Sequence, residues 1–110
     1  MRASLVALIA FTSLGCGDEI GVLCTRYLEC GQYESRAECT AYFDLVFEQL
    51  DERCTNVSDV TARYRELLDC VGQRECSELD EGSPVCDPQR DAYIAAVNAG
   101  GGARCRPDMD

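Results

Sequence analysis

The chain has no histidine, no lysine and no tryptophan among its 110 residues. The missing histidine removes the commonest general base at neutral pH, every His-dependent catalytic triad and the commonest neutral metal ligand. Without lysine, all positive charge rests on ten arginines against twenty Asp and Glu, a formal net charge of −10. Such a chain repels phosphate backbones and anionic lipid headgroups, which argues against nucleic-acid binding and polybasic membrane attachment. With no Trp, three Phe and five Tyr, large core-forming rings are scarce. The chain is also short. A domain of about 100 residues buries only about two-thirds of its unfolded surface, so additional constraints are needed.

Chemistry-bearing motifs are missing as well. There is no nucleophile motif, phosphate-cradling glycine loop or dinucleotide fingerprint. Gly100 to Gly102 follow a predicted helix instead of opening one, the wrong end for anion binding. Adjacent acids such as Asp51 and Glu52 point to different sides of a helix. The "ELDEG" segment, residues 78–82, lacks the alternating oxygen ligands of an EF-hand loop and reads as a solvated turn. No enzyme, metal or cofactor is expected.

What the chain does have is nine cysteines, close to the density of a disulfide scaffold. None is spaced as Cys-x-x-Cys, so neither a zinc site nor a thiol-redox motif is indicated. The odd cysteine is Cys16, which ends an apolar leader. Arg2 gives that leader a positive start, residues 5–11 (LVALIAF) form its core, and Ser13 and Gly15 are small residues at a cleavage site. The run is too short to span about 30 Å of hydrocarbon as a helix. Residues 1–15 are therefore expected to be removed as a signal peptide, leaving 16–110 as one cysteine-rich domain. Removing Arg2 with the leader takes the net charge from −10 to about −11.

The other eight, Cys24, Cys30, Cys39, Cys54, Cys70, Cys76, Cys86 and Cys105, are expected to form four disulfides. Eight cysteines allow about 105 pairings. Helix geometry excludes some of them: six residues along a helix separate two cysteines by about 9 Å, too far for Cys24 to reach Cys30. Cys39 and Cys54, about 22 Å apart on one helix, are excluded in the same way. Cys24 or Cys30 to Cys39 is the most local option. Each bridge contributes about 2–4 kcal/mol in the chain-entropy account. The intervals between the eight are 5, 8, 14, 15, 5, 9 and 18 residues, which suggests a duplicated four-cysteine unit offset by about 46 residues. A 40-residue register that aligns "YLECG" with "LLDCV" competes with it.

Between the cysteines the apolar residues follow a helical period. Ile20, Leu23, Cys24, Tyr27 and Leu28 share one face, and Cys39, Phe43, Val46 and Leu50 another, with Asp44, Glu48, Asp51 and Glu52 opposite. Ser35 and Glu38 form a capping-box pattern. Val60, Tyr64, Leu67, Leu68 and Val71 predict a third helix capped by Asn56 or Ser58. "NVS" also meets the N-glycosylation pattern, with capping as the preferred role. A fourth helix is marked by Asp87 as cap, Pro88 at its first position and Gly100 beyond its end. "GGGAR" reads as a flexible approach to Cys105. No segment alternates like a strand. The predicted fold class is all-α, a small disulfide-braced bundle of three to four short helices.

"SLGC" at residues 13–16 resembles the bacterial lipoprotein box, with Ser13 where that family favours Leu. The resemblance implies a diacylglycerol thioether on Cys16, which would then be the mature N-terminus. It also accounts for the ninth sulfur. An ordinary export signal cut at the same bond would leave a free terminal thiol. Together with "YLECG", "AEC", "LLDC" and "CSEL", the chain is similar to small, cysteine-rich helical lipoproteins of bacteria. That implies a cell-envelope location, membrane attachment through lipid on Cys16, and no known activity. Plant eight-cysteine lipid carriers differ, because their Cys-Cys and Cys-x-Cys elements are absent here. The expected role is a non-catalytic envelope protein, structural or protein-binding; the alternative is a secreted, unanchored inhibitor or toxin-like effector.

Overall fold

Four helices carry the described residues, 19–79 and 84–108 of this computed structural model. They are α1 (Glu19–Glu29), α2 (Arg36–Arg53), α3 (Val57–Gly72) and α4 (Asp87–Ala99), with 3₁₀ turns at Cys76–Glu78, Pro84–Cys86 and Gly102–Arg104. No strand occurs among the described residues, so the all-α expectation holds. The leader, Cys16 and most of "ELDEG" lie outside them.

Each helix forms where its apolar period buries one stripe. Leu23 and Cys24 of α1, Cys39, Phe43, Val46 and Leu50 of α2, Val60, Tyr64 and Leu68 of α3, and Ala96 and Val97 of α4 make one continuous core. The acids opposite the α2 stripe stay in solvent. Ser35 caps α2 as predicted, its Oγ accepting the Glu38 N–H at 3.1 Å. α3 and α4 run antiparallel, held at successive levels by Asn56 with Ala96, Tyr64 with Tyr93, and Cys70 with Cys86.

Three local expectations are corrected. The fourth helix starts at Asp87 itself, which puts Cys86 at the N-cap. Asp87 instead accepts an ion-pair hydrogen bond from Arg90 one turn on. Asn56 occupies the N-cap of α3 but makes no capping bond, and Ser58 lies inside the helix. The Asn56 Nδ2 is drawn across to the Ala96 carbonyl at 3.0 Å, so a side chain read as a local cap ties two helices together. "GGGAR" is not a loose tether. Gly101 (φ 138°) and Gly102 (φ 63°) adopt left-handed backbone, which folds the chain into a 3₁₀ turn closed by Cys105 N–H to Gly102 carbonyl at 3.0 Å.

The eight described cysteines form four bridges: Cys24–Cys39, Cys30–Cys76, Cys54–Cys105 and Cys70–Cys86. Cys24–Cys39 was the local option left open, and neither excluded pair occurs. Exchanging the two halves of the chain carries Cys24–Cys39 onto Cys70–Cys86 and returns each of the other two bridges to itself. That holds in the 46-residue register and fails in the 40-residue one.

Candidate binding groove

α2 and α4 scarcely touch, although both pack on α3. The space between them is a groove of about 960 Å³. Its floor is the face of α3 carrying Tyr64, Leu67, Leu68 and Val71, joined by Leu79. Tyr42, Phe43 and Val46 of α2 form one wall; Arg90, Tyr93 and Ile94 of α4 form the other. Near the first half of α2, Tyr27, Gln32 and Tyr33 extend the lining. Near its second half the lining includes Pro107. That tail is fixed because the Gln49 side chain works like a backbone amide, donating to the Asp108 carbonyl at 2.8 Å and accepting the Asp108 N–H.

All five tyrosines of the chain line this groove. Their rings form two clusters. In one, Tyr27 meets Tyr33 edge-on at 5.6 Å between centroids and stacks on Phe43 at 6.1 Å, while Tyr42 meets Phe43 at 5.0 Å. In the other, Tyr64 joins Phe47 at 5.1 Å and Tyr93 at 5.0 Å. Such edge-to-face and offset contacts hold rings in fixed orientations. Tyr42 and Ile94 remain 36% and 45% exposed at the mouth, so the apolar lining is open to an incoming surface.

The electrostatics of the groove differ from those of the rest of the molecule. No described Asp or Glu lines it, although acids make up twenty of the 110 residues. Arg90 is the one charged side chain among the described residues of the lining. Burial raises the Tyr93 phenol above its ordinary range, Arg106 partly opposes this through its positive charge, and Tyr42 adds to the rise.

The two walls of the groove can be compared residue by residue. Shifting by 47 residues, the offset from Cys39 to Cys86, places the α2 stripe Cys39, Phe43, Val46 and Leu50 on Cys86, Arg90, Tyr93 and Val97 of α4. Where α2 carries Phe43 and Val46 as buried core, α4 carries an amphipathic Arg and Tyr that are only half-buried.

The eight described cysteines fall outside the groove lining. Three bridges include at least one fully buried cysteine, whereas Cys30–Cys76 joins a half-buried residue to an exposed one. Among the described residues no group of three or more His, Cys, Asp or Glu is arranged to hold a metal ion, and no described helix is long and apolar enough to cross a membrane. Four disulfides point to an oxidising, extracytoplasmic compartment. The chain matches no protein-family model, no curated protein and no solved structure. The groove itself was missed in the sequence. The only signal was that two of the tyrosines, Tyr27 and Tyr64, sit on apolar helical stripes.

Proposed function

We propose that this is an exported, non-catalytic binding module, tethered to the cell envelope by lipid on Cys16, that engages a protein partner through the tyrosine-lined groove. The groove's composition carries the reading. The cores of protein–protein interfaces are enriched in aromatic residues and Arg and depleted in Lys, Glu, Asp, Ser and Ala, and the described lining follows that pattern. Tyrosine provides large, rigid contact area with a polar tip at little entropic cost. The lipid tether is supported by "SLGC" and by sulfur parity: eight cysteines pair among themselves, leaving Cys16 for the thioether. Two or more acyl chains anchor a protein stably where one would not. The self-consistent bridge pattern supports a duplicated four-cysteine unit, one half of which has exchanged core residues for groove residues.

The test is site-specific photo-crosslinking in intact cells, since a lysine-free chain offers amine-reactive reagents no side chain. A photoreactive residue at Ile94 or Tyr42 is expected to give a discrete protein adduct, and one at Val22, exposed outside the lining, is not. Equal labelling from all three positions, or none from the groove, would refute the binding role. Mass spectrometry of the membrane-extracted protein is expected to show a diacylglyceryl Cys16. A free Cys16 thiol on protein in the medium would replace the anchored reading with the secreted one.

A further inference from the structure

We infer that Cys30–Cys76 is an exchange site for a dithiol, and that opening it releases Leu79 from one end of the groove. The consequence for binding rests on the groove being a protein-binding site; the exchange and the release do not. The bridge joins two segments that both line the groove. Cys30 leads into the α1–α2 connection, which carries Gln32 and Tyr33, and Cys76 begins the 3₁₀ turn that is followed by Leu79. The two sides are held unequally. On the first, the N–H groups of Cys30, Gly31 and Gln32 donate to the Arg26, Leu28 and Tyr27 carbonyls of α1 at 3.0, 3.2 and 2.8 Å. On the second, the backbone bonds stay within the turn, from Glu78 N–H to the Glu75 carbonyl at 2.8 Å and from Leu79 N–H to the Cys76 carbonyl at 3.4 Å. No residue of Cys76–Glu78 is buried, and the turn scarcely touches any helix. Leu79 is only 2% exposed, yet it lies outside the continuous core.

Few buried contacts and self-contained hydrogen bonds mark a segment that opens locally while the rest of the fold persists. Here one sulfur and one leucine side chain fasten it, so losing the sulfur leaves Leu79 to hold alone. The exposed sulfur is also the accessible one: Cys76 is exposed and Cys30 half-buried. A thiolate of the dithiol attacks Cys76 Sγ, the protein S–S bond breaks, and Cys30 leaves as a thiolate that takes a proton from water. The reagent's second thiol loses its proton and attacks the mixed disulfide. Cys76 leaves in turn and is protonated, and the reagent closes its own disulfide. Two electrons and two protons pass from the dithiol to the protein. The Cys76 side then moves, because the Cys30 side remains bonded to α1. With Leu79 gone, that end of the groove loses part of its apolar floor.

The experiment treats the oxidised mature chain with limiting dithiothreitol and follows its methyl groups by NMR. Alkylation is expected to label Cys30 and Cys76 while the other three bridges stay closed. The Leu79 methyl resonances should then shift to unfolded-chain positions, and those of Leu50 and Val60, fully buried in the core, should hold. In a parallel sample, 2-mercaptoethanol should be trapped as a mixed disulfide on Cys76. An adduct on Cys30 instead, Leu79 signals unmoved with the bridge open, or a bridge that opens only as Leu50 and Val60 also shift would each overturn the inference. The binding consequence is read in cells with Cys30→Ser/Cys76→Ser protein, which is open without reagent. A photoreactive residue at Ile94 is expected to lose the adduct it gives in the bridged chain. An undiminished adduct from the open chain would overturn the link between bridge and binding. No adduct from either chain would sink the groove reading instead, and the Leu79 shift would still decide the exchange and the release.

Discussion

Substituting Gly100 by alanine should destabilise the fold, and substituting Asn56 by alanine should remove that penalty. Gly100 ends α4 with φ −93°, a conformation open to alanine, so backbone strain is not at issue. A Cβ there would lie well inside contact distance of Asn56 Oδ1 and 2.8 Å from its Cγ. Asn56 cannot swing aside without losing its bond to the Ala96 carbonyl, and the Thr55 N–H bonded to the Gly100 carbonyl at 3.0 Å holds the two segments in register. Overpacking of this kind costs about 1–3 kcal/mol. Asn56→Ala should cost about 1 kcal/mol. The loss stays modest because the Ala96 carbonyl keeps the Gly100 N–H at 2.9 Å and because Asn56 Oδ1, buried without a partner, is removed as well. In the double variant the new methyl occupies the vacated space, so its stability should match Asn56→Ala alone. The coupling is then about 1–3 kcal/mol, measured by urea unfolding of the oxidised proteins in a double-mutant cycle. Costs that add to within about 0.5 kcal/mol would show that the two side chains do not compete for this space.

Other outcomes follow from the same structure. Mild dithiol treatment with alkylation and peptide mapping should open Cys30–Cys76 first, because Cys76 is exposed while each other bridge has a buried partner; a buried bridge opening first would contradict this. Full reduction should abolish the cooperative melt, since bridges closing loops of 46 and 51 residues restrict the unfolded chain by about 4 kcal/mol each; an unchanged melting point would refute the role of the cross-links. Ser35→Ala should cost about 1 kcal/mol of stability through loss of the α2 cap, read by the same urea titration. Tyr93 has a raised folded pKa because burial disfavours its phenolate. The unfolded chain therefore releases this proton first, and the contribution is lost as pH rises above about 10. Tyr93→Phe should flatten that alkaline loss in a pH series of melts, and an identical slope would refute the assignment.

The helices and the Ser35 cap were legible because they depend on neighbours within one or two turns. The pattern Cys39, Phe43, Val46, Leu50 is a helical face in any tertiary setting. Asn56 was misread for the opposite reason: its partner Ala96 is 40 residues away, and a distant carbonyl outcompeted the local amides a cap would serve. The glycines after α4 look like slack in one dimension, yet two of them supply the left-handed backbone of an ordered turn. Helical spacing excluded two disulfides and could not choose among the rest, because pairing depends on how helices cross. The groove was least legible. It exists because α2 and α4 diverge over α3, and nothing in either helix taken alone reports that gap.

The order in which the sulfurs are joined has a further consequence. Cys30–Cys76 straddles the middle of the chain, Cys54–Cys105 overlaps it, and the two shorter bridges cover the flanks. One hydrolysed peptide bond anywhere from Cys24 to Cys105 therefore still leaves a single covalent particle. Coverage is single in three stretches: Cys24 to Cys30 under Cys24–Cys39, Cys39 to Cys54 under Cys30–Cys76, and Cys86 to Cys105 under Cys54–Cys105. A protease that nicks α2 would yield two pieces only in company with a reductant, so the molecule can be clipped outside the cytoplasm without coming apart.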